Sequence, residues 1–190
     1  MSNVTDNFRQ GEEIRKDRRE HMKTIPYLVL FAFVSAFASP VLAAGKTAMA
    51  LLPLATAEAK KWQPDSALVY LETKTVEPDG TVAVKPFPGT WVFIFMSPKT
   101  KKKVGVMVDG KGKVARMDTA FYKSDVVGEF TVDSDKAMTE AIKNGLKTNN
   151  YGMSMSLEKN AGRVEWQMLD KTHFYYIDAN SGRFLKKEKN

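Results

Sequence analysis

Val106-Met107-Val108-Asp109-Gly110, followed by Gly112-Lys113-Val114, is met a second time as Tyr175-Tyr176-Ile177-Asp178, followed by Gly182-Arg183-Phe184. Each stretch reads as a β-strand that runs into an aspartate, turns through glycine and re-enters a strand. Upstream of each lies a strand segment carrying a tryptophan, Trp91 in Thr90–Met96 and Trp166 in Arg163–Asp170. Further upstream lies a helix with alanines four apart, Ala55 and Ala59 in one case, Ala137 and Ala141 in the other. Small side chains at that spacing share one helix face and let the axis lie close to a sheet. The same order of elements is thus written twice. The expected fold is α+β, made of two tandem helix-plus-antiparallel-sheet repeats.

Working outward, the first helix is expected over Leu54–Trp62, with Pro53 in its first turn and Ala55, Ala59 and Trp62 on one face. Pro64-Asp65 ends it, and Ala67–Val76 reads as a strand. Pro78-Asp79-Gly80 is a turn signal that pairs this strand with Thr81–Val84 as a hairpin. Pro86 and Pro88 make Lys85–Gly89 irregular, since proline cannot donate to a ladder. Thr90–Met96 is apolar on both faces, the mark of a central strand, and Lys103–Asp109 returns antiparallel to it. Lys113–Met117 closes the unit. Asp118–Thr131 reads as a connector with Gly128 as its hinge point. Asp133 or Ser134 caps the second helix, with Ala137, Ala141 and Ile142 facing inward and Asn144-Gly145 ending it. Strands follow at Met153–Glu158, Arg163–Asp170, His173–Asp178 and Arg183–Leu185, before a frayed basic end, Lys186–Asn190.

Ahead of the repeats, Met22-Lys23 introduces an apolar run, Ile25–Ala38, then Ser39-Pro40-Val41-Leu42-Ala43-Ala44. A basic start, an uncharged core and small residues at Val41 and Ala43 make an export signal, cleaved after Ala43 or after Ala44. Residues 1–21 are rich in charge of both signs, so either translation starts at Met22 or the apolar run is retained as a membrane anchor. The expected organisation is therefore 1–43 extension and signal, 44–117 first repeat, 118–131 connector and 132–190 second repeat. The expected location is periplasmic or extracellular, or membrane-anchored if the signal stays.

The full chain of 190 residues carries a net charge of +7. Six Lys/Arg and five Asp/Glu leave with residues 1–43, so 23 cationic and 17 anionic side chains remain, a net +6. That balance favours an anionic surface as partner, whereas nucleic acid is not expected because no recognition motif accompanies the charge. With no cysteine, an exported domain has no disulfide and stands on its core.

Chemistry is sparse. After signal removal His173 is the one histidine, which excludes zinc, haem and iron–sulfur ligation, and no cofactor is expected. Asp133-Ser134-Asp135 opens like a calcium loop but lacks the required Gly and Glu spacing, and a helix cap explains it. Gly110 and Gly112 lie between strands, with no helix following to cradle phosphate. Glu158 and Glu165 flank a hairpin turn, where solvated charges are ordinary. His173 lacks a serine elbow and reads as a sheet-edge residue near Asp170. The candidate partner contacts are Lys99, Lys101, Lys102 and Lys103, with Tyr175 and Tyr176, which together with Phe174 and Trp166 could form a peptide groove. Against them, lysines at a hairpin tip also guard an edge from aggregation, and aromatics pack cores.

Trp62-Gln63-Pro64-Asp65-Ser66-Ala67-Leu68, Trp91 with Phe93 and Phe95, and Val106–Gly110 carry a family resemblance. In the second half Asp133–Met138, Trp166 and Tyr175–Gly182 carry it again. The pattern, over about residues 48–187, resembles the PepSY-like family of small exported domains. That resemblance implies a cystatin-like helix on an antiparallel sheet, repeated once, and a role in inhibiting or regulating envelope peptidases. It carries no catalytic motif. The expected function is non-enzymatic: binding or regulation of a protein partner in the cell envelope through a sheet edge or groove. The alternative is an accessory subunit of an envelope assembly. The oligomeric state stays open, and an enzyme centred on His173 is the least favoured reading.

Overall fold

A computed structural model describes residues 45–148 and 153–190. The expected signal, residues 1–43, lies outside them. Helix α1, Ala48–Trp62, precedes strands β1 (Ala67–Val76), β2 (Thr90–Met96), β3 (Lys103–Asp109) and β4 (Val114–Met117). Helix α2, Ser134–Lys143, precedes β5 (Met153–Asn160), β6 (Arg163–Leu169), β7 (His173–Asp178) and β8 (Phe184–Lys189). Each helix is followed by an up-and-down run of four strands. All eight join one antiparallel sheet in the order β4-β3-β2-β1-β5-β6-β7-β8, so the two runs meet where β1 pairs with β5. Among the described residues no helix is long and apolar enough to cross a membrane.

One sheet face is sheathed. Alternation along the strands sends Trp91, Phe93 and Phe95, Val104, Val106 and Val108, Met155 and Leu157, and Trp166 and Met168 to the side where the helices lie. Helix α1 meets them with Ala48, Leu51, Ala55 and Ala59, and α2 with Ala137, Met138 and Ala141. The two tryptophans touch edge to face, with ring centroids 6.1 Å apart. Each indole N–H donates to the carbonyl two residues ahead of a helix, Trp91 to Lys46 (3.3 Å) and Trp166 to Val132 (2.8 Å). The helix N-termini are tied together as well. Asp133 caps α2, and its Oδ1 also accepts the Met49 N–H of α1 (3.0 Å), while Ser134 Oγ accepts the Ala48 N–H (3.1 Å). These bonds satisfy amide donors that a helix start leaves unpaired.

Several sequence expectations change. Helix α1 begins at Ala48 with Thr47 as its cap, so Pro53 lies inside it. The extra turn draws on Asp133 and Ser134, donors' partners that are distant in sequence. Thr81–Val84 is no strand. It makes the isolated bridges Val76↔Val82 and Lys46↔Val82, while the Ala83 carbonyl accepts the Gly89 N–H and does not continue a ladder with β1. Gly80 (φ +79°) packs so tightly on the start of α2 that a Cβ there would lie 2.4 Å from the Ser134 carbonyl oxygen. On α2, Met138 is buried, whereas Ile142 is 39% exposed. Strand β8 continues to Lys189 through the residues expected to fray, with Lys186 lying 4.5 Å from the Tyr176 ring centre.

Candidate functional site

Among the described residues no helix packs on the second sheet face. Its apolar patch is small: Val69, Ile94 and Met96, with Tyr70, Val92 and Phe121 packed against it. The connector between the halves lies over this face as a strap. Phe121 stacks on Tyr70, with centroids 4.4 Å apart, and on Tyr122 at 5.4 Å. Lys103 Nζ donates to the carbonyls of Phe121 (2.9 Å) and Tyr122 (3.2 Å). Beyond Lys123 the Val127 N–H donates to the Leu68 carbonyl (2.9 Å). The strap then leaves this face: Val127 and Phe130 join the sheathed core, where Phe130 meets Trp166 edge-on at 6.1 Å.

On the same face stand two carboxylates, one of them bound by the strap. Strands β5 and β6 turn through Ala161 (φ 47°) and Gly162 (φ 83°), a two-residue loop with both φ positive that suits the strand twist. That turn sets Glu158 directly opposite Glu165. Because Leu157 and Trp166 point into the core, the two glutamates point to the open face. Both are only 6% exposed, contrary to the solvated hairpin charges expected from sequence. Glu158 forms an ion pair with Lys123 of the strap and accepts from the Gln167 side-chain amide. Burial lowers the Lys123 ammonium below its ordinary pKa. Oε2 of Glu165 is buried with no hydrogen-bond partner among the described residues.

Two tyrosines flank the pair. Burial raises the Tyr70 phenol to about 12; a hydrogen bond with Ser156 opposes the rise, and the neighbouring Glu72 carboxylate adds to it. Burial, reinforced by Glu188, likewise takes Tyr176 up to about 12. Both phenols therefore remain neutral donors at physiological pH.

The residues singled out from sequence fall in three places. Lys99, Lys101 and Lys102 are exposed in the β2–β3 turn, where Asp65 accepts from Ser97 Oγ (3.0 and 2.9 Å) and the Lys99 N–H (3.2 Å). Burial pushes the Asp65 carboxyl up, but the bonds from Ser97 and Lys99 outweigh it and leave it below its ordinary value. Lys103 stands apart from that cluster and holds the strap. Tyr175 is fully enclosed on the sheathed side, its one hydroxyl proton shared between the Gly145 carbonyl (2.8 Å) and Asp170 Oδ2 (3.1 Å), so it has no surface to offer a partner. Tyr176 lies on the open face at 9% exposure. A groove of Phe174, Tyr175, Tyr176 and Trp166 does not form, since strand alternation puts Tyr175 and Tyr176 on opposite faces and Trp166 is fully buried with Tyr175 in the core.

His173 does lie beside Asp170, but β8 pairs outside it, so it is not at the sheet edge. Its Nδ1 is 2.7 Å from Thr172 Oγ1, and Asp170 Oδ1 lies 3.1 Å from the same hydroxyl and accepts the His173 backbone N–H. Among the described residues, no group of three or more His, Asp or Glu side chains could hold a metal ion. What sequence reasoning passed over is the strap triplet Phe121-Tyr122-Lys123, an aromatic–basic cluster within a polar connector.

No family model matches the chain, and no curated protein matches it. In overall shape it is similar to the crystal structure of a presumed lipoprotein from Clostridium difficile 630, at 17% identity and a TM-score of 0.48. That match covers 72% of this chain and 90% of the other.

Proposed function

We propose that this chain is an exported, non-catalytic binding or regulatory protein built of two PepSY-like repeats, acting on a protein partner in the cell envelope by contact. The observation that carries the reading is the asymmetry of the sheet: among the described residues one face is sheathed by two helices, and the other is covered only by a strap. The repeat reading draws support from the matched tryptophans, each bonded to the carbonyl two residues ahead of its own helix. It draws further support from the matched turns at Asp109 and Asp178, whose carboxylates each accept two amide N–H groups of the turn. Export rests on the apolar run before Ala43. A role on envelope peptidases follows from the family resemblance.

The partner-facing surface is then the open face together with the Lys99–Lys102 turn. Strand β8 is a poor docking edge, since Lys186, Lys187 and Lys189 line it. A photo-crosslinking residue at Lys102, in cells making the full chain, is expected to capture a protein, while the same residue at Ile142 on α2 captures none. Equal capture at both sites, or lipid alone at Lys102, contradicts the reading.

A second reading, an accessory subunit of an envelope assembly, is favoured by β4, an edge strand of four residues with Ala115, Arg116 and Met117 exposed. Light scattering that finds a strict monomer over a wide concentration range counts against it.

A further inference from the structure

The strap is a poor structural element but a good ligand. Among the described residues its one backbone-to-backbone bond to the sheet runs from the Val127 N–H to Leu68, and Phe121, Tyr122 and Lys123 belong to no helix or strand. It is held mainly by side chains: a ring on Tyr70 and an ammonium on Glu158. The surface beneath therefore recognises an aromatic ring followed by a cation two residues on. The charges there do not balance. Glu158 and Glu165 stand opposite each other, both 6% exposed, yet among the described residues Lys123 pairs with Glu158 alone and Oε2 of Glu165 has no hydrogen-bond partner. A buried carboxylate oxygen left without a donor is costly, and native proteins rarely keep one without a use.

We propose that the open face around Tyr70, Glu158 and Glu165 is a receptor site for an aromatic–basic segment of a partner polypeptide, occupied in the unbound protein by Phe121-Tyr122-Lys123 as an internal ligand. This deepens the contact reading above and rests on it. An arginine suits the site better than Lys123 does. Its planar guanidinium presents five donors and can serve both carboxylates, whereas the lysine ammonium is a compact point charge already committed to Glu158. An incoming segment must displace a tethered competitor, so the strap sets a threshold: weakening it raises apparent affinity without altering the site. Lys103, which holds the Phe121 and Tyr122 carbonyls, belongs to the closing device and not to the receptor surface.

The test uses the full chain and a fluorescein-labelled Phe-Tyr-Arg-amide peptide read by anisotropy, with a citrulline analogue as the uncharged control. Lys123→Gln, which releases the internal cation, is expected to tighten binding about tenfold, and Glu165→Gln to weaken it about tenfold. Phe121→Ala, which releases the internal ring, gives a second route to tighter binding should Lys123→Gln fold poorly. Hydrogen exchange across residues 119–127 is expected to quicken on adding the peptide. The proposal is overturned if neither strap variant binds the peptide at millimolar concentration, if the citrulline analogue binds equally well, or if Glu165→Gln changes nothing. Protein capture at Lys102 alongside any of those results sinks this site and leaves the contact reading standing. Peptide binding without protein capture does the reverse.

Discussion

The two faces of the sheet are built from alternate residues of the same strands, yet they obey different rules. On the sheathed face every large side chain is apolar or fully bonded, and both indole N–H groups find a carbonyl. On the open face, among the described residues, Lys123 pairs with Glu158 alone, an oxygen of Glu165 lacks a donor, and a strap without secondary structure lies over part of the surface. The first arrangement is over-determined and serves stability. The second leaves a polar group unsatisfied and its cover lightly held, which is how surfaces that must open are built.

That contrast predicts opposite responses to substitution. Trp166→Ala and Trp91→Ala remove fully buried side chains and should each cost about 3–5 kcal/mol in denaturant unfolding. Because the rings touch, the double variant should cost less than the sum of the two singles, and strict additivity would break the claim of one shared core. On the open face, Glu158→Gln strips Lys123 of its partner and should cost about 2 kcal/mol, less than a fully buried pair because Lys123 is partly exposed. Glu165→Gln removes an unpaired buried charge facing another carboxylate, and should stabilise by about 1 kcal/mol. If Glu165→Gln destabilises as a core substitution does, the two faces are alike after all.

Acid sharpens the same comparison from the rim of the core. Burial pushes Asp170 up, but the N–H groups of Thr172 and His173 and the hydroxyls of Thr172 and Tyr175 outweigh it and bring it down to about 2. Its folded pKa lies below the unfolded value of about 3.9, so the stabilisation is present above that pH and is lost as pH falls towards 2. Asp170→Asn should therefore cost about 1 kcal/mol at neutral pH, after allowance for solvent screening, and flatten the acid limb of the stability curve. The smallest effect is expected at Lys99, Lys101 and Lys102. Replacing them with serine should move stability by less than about 0.5 kcal/mol while reducing partner capture, measured by melting and crosslinking together.

Much of the scaffold was legible in the residues. Periodicity gave Thr90–Met96 and Lys103–Asp109 as they stand, because apolar runs between turn signals leave little choice. The first turn of α1 was not legible, since its donors are satisfied from Asp133 and Ser134, 84 and 86 residues away. Thr81–Val84 failed for a related reason: Val82 bridges Lys46 and Ala83 accepts the Gly89 N–H, partners that strand propensity does not reveal. The open-face site was half legible. Alternation through Met153–Glu158 and Val164–Met168 put Glu158 and Glu165 off the core, but the partner of Glu158 comes from a connector with no periodic pattern to reveal where it lies. A stacked Phe-Tyr followed by lysine in that connector was the one available signal.

The central claim is that the strap is a removable occupant of the open face and not part of the core. Hydrogen exchange of the full chain, resolved by segment, tests it most directly. Residues 119–127 should exchange through local opening, at least about a hundredfold faster than β2 and β6, and insensitively to low denaturant. Exchange of the strap in step with the tryptophan strands, slowed to the rate of global unfolding, would contradict it.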